Sequence, residues 1–417
     1  MRIIADLHVH SRFAMACSKN ITIRAMEQAA VEKGIQVLGT GDFTHNQWLA
    51  EIKATLEDDG NGLYAVSGSE TGVRFVPSVE ISTVYEKNGK ARKIHTCFLA
   101  SSIDAVESIN DSISNSGKLD SDGRPTLTVS AAELLDRVFS ADRNAFVFPA
   151  HIWTPYFGVF GSISGFDALE EAYEGNTKHI YALETGLSSD TLMNWRLSGL
   201  DKYSLISNSD MHSVQKMGRE ANIFEFKKEE VSYRSVTESI KNKDGRFVGT
   251  IEFYPEEGKY HYDGHGRCSF SVNPETSNVT RCPKCGKPLV VGVLHRINSL
   301  ADRPPGYIPK DHKNYSYIVP LMEVIAFATK RSAYSPITKG IYSDMITRLG
   351  SEFHILIDAG IENIAKASSR EIADCIRSVR EGRVSIKPGY DGVFGKVDLL
   401  GKPFVELPQK QKSISDF

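Results

Sequence analysis

His8 and His10 stand at the end of the apolar run Ile3-Ile4-Ala5-Asp6-Leu7. Two imidazoles two residues apart on an extended segment point to one side, so both can converge on a single cation. Further groups that ligate divalent metals recur in the same setting. Glu80 follows the apolar stretch 73–79, and His95 opens the strand-like His95-Thr96-Cys97-Phe98-Leu99. His151 ends Ala145-Phe146-Val147-Phe148-Pro149-Ala150, while Asp210 and His212 follow Tyr203-Ser204-Leu205-Ile206-Ser207-Asn208. Imidazoles and carboxylates gathered in this way are the donor set of a polynuclear hydrolytic centre.

Amphipathic helices are predicted between these runs, over Thr22–Lys33, Trp48–Glu57, Ser130–Ser140 and Phe166–Glu174. The third opens with the capping box Ser130-x-x-Glu133. Strand, polar tip and helix, repeated, is the pattern of a (β/α) barrel, whose chemistry gathers at the C-terminal strand ends. Asp6 either orients a ligand imidazole or points away from the site. Cys17 reads as a small buried hydrophobe. The loop 152–161 after His151 is rich in aromatics and leaves the same barrel face. Trp153, Tyr156 and Phe157 are therefore stacking or wedge candidates, or else an aromatic cap on the barrel.

A second motif begins where the barrel pattern fades. His265-Gly266-Arg267-Cys268 is followed by a 13-residue spacer and Cys282-Pro283-Lys284-Cys285-Gly286, the spacing of a zinc-ribbon knuckle. His265, Cys268, Cys282 and Cys285 are its expected ligands to one structural Zn²⁺, with His261 as an alternative to His265. Net charge is -3 overall. Counting Lys and Arg against Asp and Glu gives 23 against 32 for residues 1–240, and 26 against 20 for 241–417. An acidic half suits cations and a basic half suits a polyanion. Between Arg281 and Lys313 seven basic residues, Arg296 among them, face two acidic ones. Helices are predicted over Tyr317–Lys330, Ile337–Leu349 and Ser369–Glu381, the last after a capping box at Ser368-x-x-Glu371. The tail 383–396 mixes glycines with Lys387, Tyr390, Phe394 and Lys396. It suits phosphate contact and base stacking, or a docked terminal strand. The expected regions are 1–250, 251–313 and 314–417. A chain with no apolar run of membrane length and no leader-like start is expected in the cytoplasm.

The strand-end residues resemble the PHP (polymerase and histidinol phosphatase) family, a distorted seven-stranded α/β barrel that hydrolyses phosphoesters with two or three divalent metals. Carried over by motif, His8, His10, Glu80 and Asp210 would hold one metal (Zn, Mn or Mg), and Glu80 would bridge to another on His95 and His151. Glu80, Asp210 and His212 would be its catalytic members. His212 with Asp42 or His45 would complete a further site. Two positions depart from that pattern, namely Ala16-Cys17 and Gly41-Asp42-Phe43-Thr44-His45.

With the Cys-x-x-Cys module, the stretch 292–303 and the helical end, nearly the whole chain resembles the endonuclease Q family. That resemblance implies cleavage of DNA on the 5′ side of deaminated bases (uracil, hypoxanthine, xanthine) and abasic sites, leaving a 3′-hydroxyl and a 5′-phosphate. The DNA contacts expected from residue types are Trp153, Tyr156, Phe157, Arg296, Lys387, Tyr390 and Lys396. A repair or replication clamp partner is not readable from the residues. Two other classes are open at this stage: a PHP-type phosphomonoesterase of small molecules, and a non-catalytic DNA-binding protein with a degenerate barrel.

Overall fold

The computed structural model describes residues 1–404. The apolar run at the N-terminus forms the central strand Arg2–Asp6. It lies parallel to Val37–Gly39 and antiparallel to Ala221–Glu225. Arg74–Val76 extends this sheet on one side and Phe247–Glu252 on the other. A second sheet is built on the long hairpin Ser78–Lys87 and Lys90–Leu99, with Phe146–Pro149 at its edge. Ala182–Glu184 and Ser204–Ile206 pair in parallel as a third.

The α/β class is as expected, but the strands do not close into one hydrogen-bonded barrel. Side chains hold the three arcs together instead. Ile3, Ala5, Val37, Val76, Cys97, Phe146, Phe148, Ala182, Ile206, Phe224 and Phe247 form one buried cluster contributed by every arc. Tyr233, Val236 and Ile240 of the helix Tyr233–Asn242 join that cluster. Residues of opposite parity, such as Ile4, Leu38, Phe75, Phe98 and Val147, pack outward in the larger core with the surrounding helices. Alternation along each strand thus serves both layers.

The predicted helices form as Ile23–Lys33, Asn46–Thr55 and Ala131–Ala141, with Thr22 and Ser130 capping the first and third. The fourth is shorter, Leu169–Tyr173, and continues as a 3-10 turn. Beyond the barrel, Leu321–Thr329, Pro336–Leu349, Ile361–Ala367 and Arg370–Arg380 make the helical region. Ser369, not Ser368, caps the last helix, accepting from the Ile372 amide. Four helices of seven or more residues among the described residues were not predicted: Ile103–Ile113, Tyr233–Asn242, Val293–Leu300 and Ile361–Ala367.

Two strand contacts run across the expected regions. Asn314–Tyr317 pairs with Phe247–Glu252 and so extends the barrel sheet. The hairpin of Ser385–Lys387 and Lys396–Asp398 leaves the helical region and docks on the middle one. There Gly389 donates to Glu256, Gly395 to Glu257 and Tyr262 to Gly389. Among the described residues no helix is long and apolar enough to cross a membrane.

The helical region is fastened to the barrel by a buried ion pair, Lys33 Nζ to Glu352 Oε2 at 2.7 Å. The Glu352 carboxylate also accepts from the Leu321 amide and the Tyr342 hydroxyl. Removing one member of such a pair leaves an uncompensated buried charge, at about 3–5 kcal/mol. Lys33→Ala is therefore expected to lower the stability of the helical region by that amount, read from chemical unfolding. An unchanged midpoint would show that the pair does not fasten it.

Candidate metal centre and active site

The first strand ends at Asp6, and the chain continues extended past it, with Val9 bridging Met211 in parallel. His8 and His10 lie on this extension, their ring centroids 5.3 Å apart. Asp210 is brought opposite them by a turn in which its amide donates to His8 O. Glu80 rises from the middle of the second sheet, 1% exposed. His95 on the partner strand and His151 beyond Pro149 reach it from the far side.

Glu80 is shared. Its Oε2 lies 3.6 Å from His8 Nε2 and 3.3 Å from His10 Nε2, and Asp210 Oδ1 is 3.1 Å from His10 Nε2. Its Oε1 lies 2.7 Å from His95 Nδ1 and 2.9 Å from His151 Nε2. The ligand atoms of His8, His10, Glu80 and Asp210 fall within 4.8 Å of one another, as do those of Glu80, His95 and His151. His8 Nε2, His10 Nε2 and Asp210 Oδ1 are buried without a hydrogen-bond partner, although they face one another. Unsatisfied buried donor atoms are costly, and a cation is the partner all three share. The residues present therefore fit metal ions.

The other ring nitrogens are held from behind, as ligand imidazoles commonly are. His8 Nδ1 lies 3.0 Å from Glu184, His10 Nδ1 2.9 Å from Asp42, and His151 Nδ1 2.9 Å from Thr154 Oγ1. Glu184 also accepts from the His151 amide and the Asn208 side chain. Three positions here carry left-handed backbone without glycine: Asp42 (φ 48°), His151 (φ 27°) and Asp210 (φ 45°). Such conformations are strained and persist only where surrounding contacts over-determine them. At His151 the close approach of Gly186 contributes, since a Cβ there would sit 2.6 Å from His151 Cβ.

Burial alone would raise the Glu80 pKa, but His95, Arg124 and His8 hold it well below the usual carboxylate range. Asp210 is likewise held low against burial by the neighbouring His10 and His8 rings. Burial lowers His95 to about 4, so that ring is neutral, the form in which an imidazole ligates a cation.

A cavity of about 500 Å³ opens above this floor. Arg124, Asp210 and His212 border it from the barrel, with Lys216 and Arg219. Lys259, Tyr260 and Phe394 reach it from the middle region and the C-terminal hairpin. Lys259 Nζ lies 4.6 Å from the centre of the Phe394 ring.

Several expected site residues stand elsewhere. Asp42 is fully buried behind His10, which it orients, and His45 stacks on Phe13 at 4.0 Å, so neither reaches the ligand clusters. His212 borders the cavity and donates from Nδ1 to Asp210 O, outside both clusters. Asp6 touches no imidazole. It accepts from the Ser209 and Gly218 amides and so anchors the turn that carries Asp210, while burial raises its pKa to about 6. Trp153 is core, 1% exposed, with its indole N–H donated to Asn194. Tyr156 and Phe157 are exposed, and the Phe157 ring stacks on His95 at 4.4 Å. Arg296 is a strap, donating to Phe160 O, Phe166 O and Asp167. Tyr390 is half-buried and packs against Gly264, whereas Lys387 and Lys396 are exposed. Glu184 was missed, though it closes the short apolar strand Ala182–Glu184. Arg124 and Lys259 lie in loops with no comparable signal.

The second cluster joins His265, Cys268, Cys282 and Cys285, whose ligand atoms lie within 4.8 Å of one another. His261 is not a member; burial lowers it to about 4. The Gly286 amide returns to Cys282 O in the knuckle turn, where Gly286 adopts φ +72°.

Residues 320–383 match the family described as the MJ0043 C-terminal domain. The uncharacterized protein YqxK of Bacillus subtilis is 26% identical over 412 residues, 95% of this chain and 99% of its own. The uncharacterized protein MJ0043 of Methanocaldococcus jannaschii is 28% identical over 252 residues, 59% of this chain. That match spans 31% of MJ0043, about a third of its length. Two solved structures share the fold end to end. One is the lesion-specific endonuclease PfuEndoQ from Pyrococcus furiosus, 28% identical, with a TM-score of 0.83 over 100% of this chain and 98% of the other. The second is Endonuclease Q in complex with a 27-mer duplex bearing an abasic lesion at its active site. It is 29% identical, with a TM-score of 0.85 over 95% and 96%.

Two outcomes are expected from this geometry. Glu184→Gln should leave the fold intact but weaken metal binding to the barrel about 10–100-fold, because His8 loses the carboxylate that fixes its ring. Titration calorimetry with Mn²⁺ reads this, and an unchanged affinity would remove Glu184 from the centre. Cys282→Ser should release one zinc per chain and loosen the middle region, since such an ion contributes folding free energy directly. Undiminished zinc by elemental analysis would contradict the knuckle.

Proposed function

We propose that this chain, built like an endonuclease Q from its first strand to its last hairpin, is a metal-dependent endonuclease that nicks duplex DNA at damaged nucleotides. The observation that carries this reading is the shared carboxylate Glu80 beneath a cavity that its partners Arg124 and His151 line and that cationic and aromatic side chains wall. A small phosphomonoester would need the floor but not walls drawn from two further regions of the chain. The degenerate-barrel alternative leaned on Ala16-Cys17 and the segment 41–45. Five ligand-type side chains nevertheless converge around Glu80, with three orphaned atoms aimed inward.

Divalent cations bound to these two clusters would neutralise the phosphodiester oxygens and lower the cost of forming the nucleophile from water. The chain's own groups bind and orient. Lys216, Arg219 and Lys259 attract the phosphate, and Tyr260 and Phe394 offer stacking faces for a nucleotide taken out of the duplex. Phe394 thereby takes the part first sought at Trp153. Tyr156 and Phe157 form an aromatic rim, while Lys387 and Lys396, paired across the hairpin, supply backbone contacts away from the centre. The lesions would be uracil, hypoxanthine, xanthine and abasic sites. Attack by water oxygen at phosphorus breaks the bond to the 3′ oxygen on the 5′ side of the lesion, and that oxygen takes up a proton. A 3′-hydroxyl and a 5′-phosphate result. The Cys-rich knuckle, with one structural zinc, would hold the middle region in shape.

End-labelled duplexes with a single deoxyuridine, deoxyinosine or abasic site, beside an undamaged control, test this reading. One metal-dependent nick 5′ to each lesion is expected, with binding that weakens steeply with salt. Glu80→Ala should lower cleavage at least about a thousandfold while duplex affinity stays within a few-fold. Equal cutting of undamaged duplex, or release of free uracil from an intact strand, would contradict it.

A further inference from the structure

We propose that Arg124 is a catalytic residue of this centre, a fixed cation that grips the scissile phosphate beside Glu80; this rests on the phosphodiesterase reading above. Arg124 Nη1 donates to Glu80 Oε2 at 3.0 Å, the same oxygen that faces His8 and His10. The guanidinium has five N–H donors in a rigid fork, and this is its one hydrogen bond among the described residues. The side chain is 20% exposed and borders the cavity with His151, Asp210 and His212. Its unspent donors therefore stand where a phosphate must lie to reach the Glu80 floor.

The backbone around Arg124 is built to hold it there. Asp122 accepts from the Arg124 amide and, with its other oxygen, from the Met15 amide. The Gly123 amide donates to Phe13 O. At Gly123 a Cβ would come within 2.3 Å of Asp42 Oδ2 and 2.8 Å of the Ala14 amide nitrogen, so only glycine lets this loop press against the His10 support. An arginine placed only to neutralise Glu80 would not need open donors on the cavity side.

Arg124 also accounts for the residues that failed to join the centre. Asp42 turns away to His10, His45 stacks on Phe13, and Ala16-Cys17 offers no carboxylate or imidazole. His212 Nδ1 lies 3.7 Å from Asp210 Oδ1, and on the Glu80 Oε2 side the Arg124 guanidinium stands at the edge of the cavity. A guanidinium keeps its charge at every working pH, does not exchange, and can bind two phosphate oxygens at once. Non-bridging oxygens gain negative charge as the nucleophile adds, so these contacts strengthen in the transition state.

The test measures cleavage of an abasic duplex and of bis(p-nitrophenyl) phosphate by wild type, Arg124→Ala and Arg124→Lys, with metal content determined separately by elemental analysis. Arg124→Ala should lower kcat about 10²–10³-fold on both substrates, with KM within a few-fold and metal stoichiometry unchanged. Added guanidinium should restore part of that activity in Arg124→Ala and none in Glu80→Ala. Arg124→Lys, which keeps charge but loses the fork, should fall between. Metal lost in step with activity, absence of rescue, or near-wild-type kcat would overturn the assignment. A wild type that hydrolyses the small diester but no lesion duplex would refute the DNA reading. If Arg124→Ala still loses the diester activity there, the assignment of Arg124 stands.

Discussion

The sharing of one buried carboxylate between two sets of imidazoles is the constraint on which the rest of this molecule depends. Glu80 is almost sealed from water, with five cationic or cation-binding groups against its two oxygens. A carboxylate so buried is stable only when its charge is matched within a few ångströms. The neighbours must therefore be held to small tolerances, and the fold shows how. Glu184 and Asp42 fix two rings from behind, Asp6 anchors the turn bearing Asp210, and strained backbone is kept at Asp42, His151 and Asp210. The interior cluster that joins three separate sheets serves the same end, since every arc delivers at least one of these residues.

What the barrel cannot supply is a lid. The floor is set by strand ends, but the aromatic and lysine walls arrive from Lys259, Tyr260 and Phe394, far along the chain. The C-terminal hairpin returns across the helical region to bring Phe394 there, and its hydrogen bonds to Glu256 and Glu257 fix that return. The division of labour is physical: rigid β ends position charge, and docked loops from the basic half define what fits above it.

Much of the floor was legible in the sequence because a polar group bordering an apolar run leaves a local mark. His8, His10, Glu80, His151 and Asp210 follow such runs and His95 opens one, although Glu80 and His95 lie within the long hairpin strands and not at their ends; the knuckle ligands carry their own spacing. Asp42, offered with His45 as an alternative ligand, lies against His10 Nδ1, a placement that residue type and turn context do not distinguish from ligation. Trp153 was left between two readings because an aromatic loop beside a site and an aromatic cap beneath one have the same composition. Arg124 left no mark, since its role comes from a loop packed on His10 through Gly123, a contact between distant segments. The broken barrel was equally hidden, as hydrogen-bond closure depends on register between strands and not on pattern within them.

The shared carboxylate also sets the most direct test of the account. Electron paramagnetic resonance of protein loaded with two equivalents of Mn²⁺ distinguishes a pair of ions joined through Glu80 from ions bound apart. The account predicts an exchange-coupled pair in the wild type, and loss of the coupling in Glu80→Gln with the fold retained. Isolated six-line Mn²⁺ signals in the wild type, at full occupancy of the barrel, would contradict it.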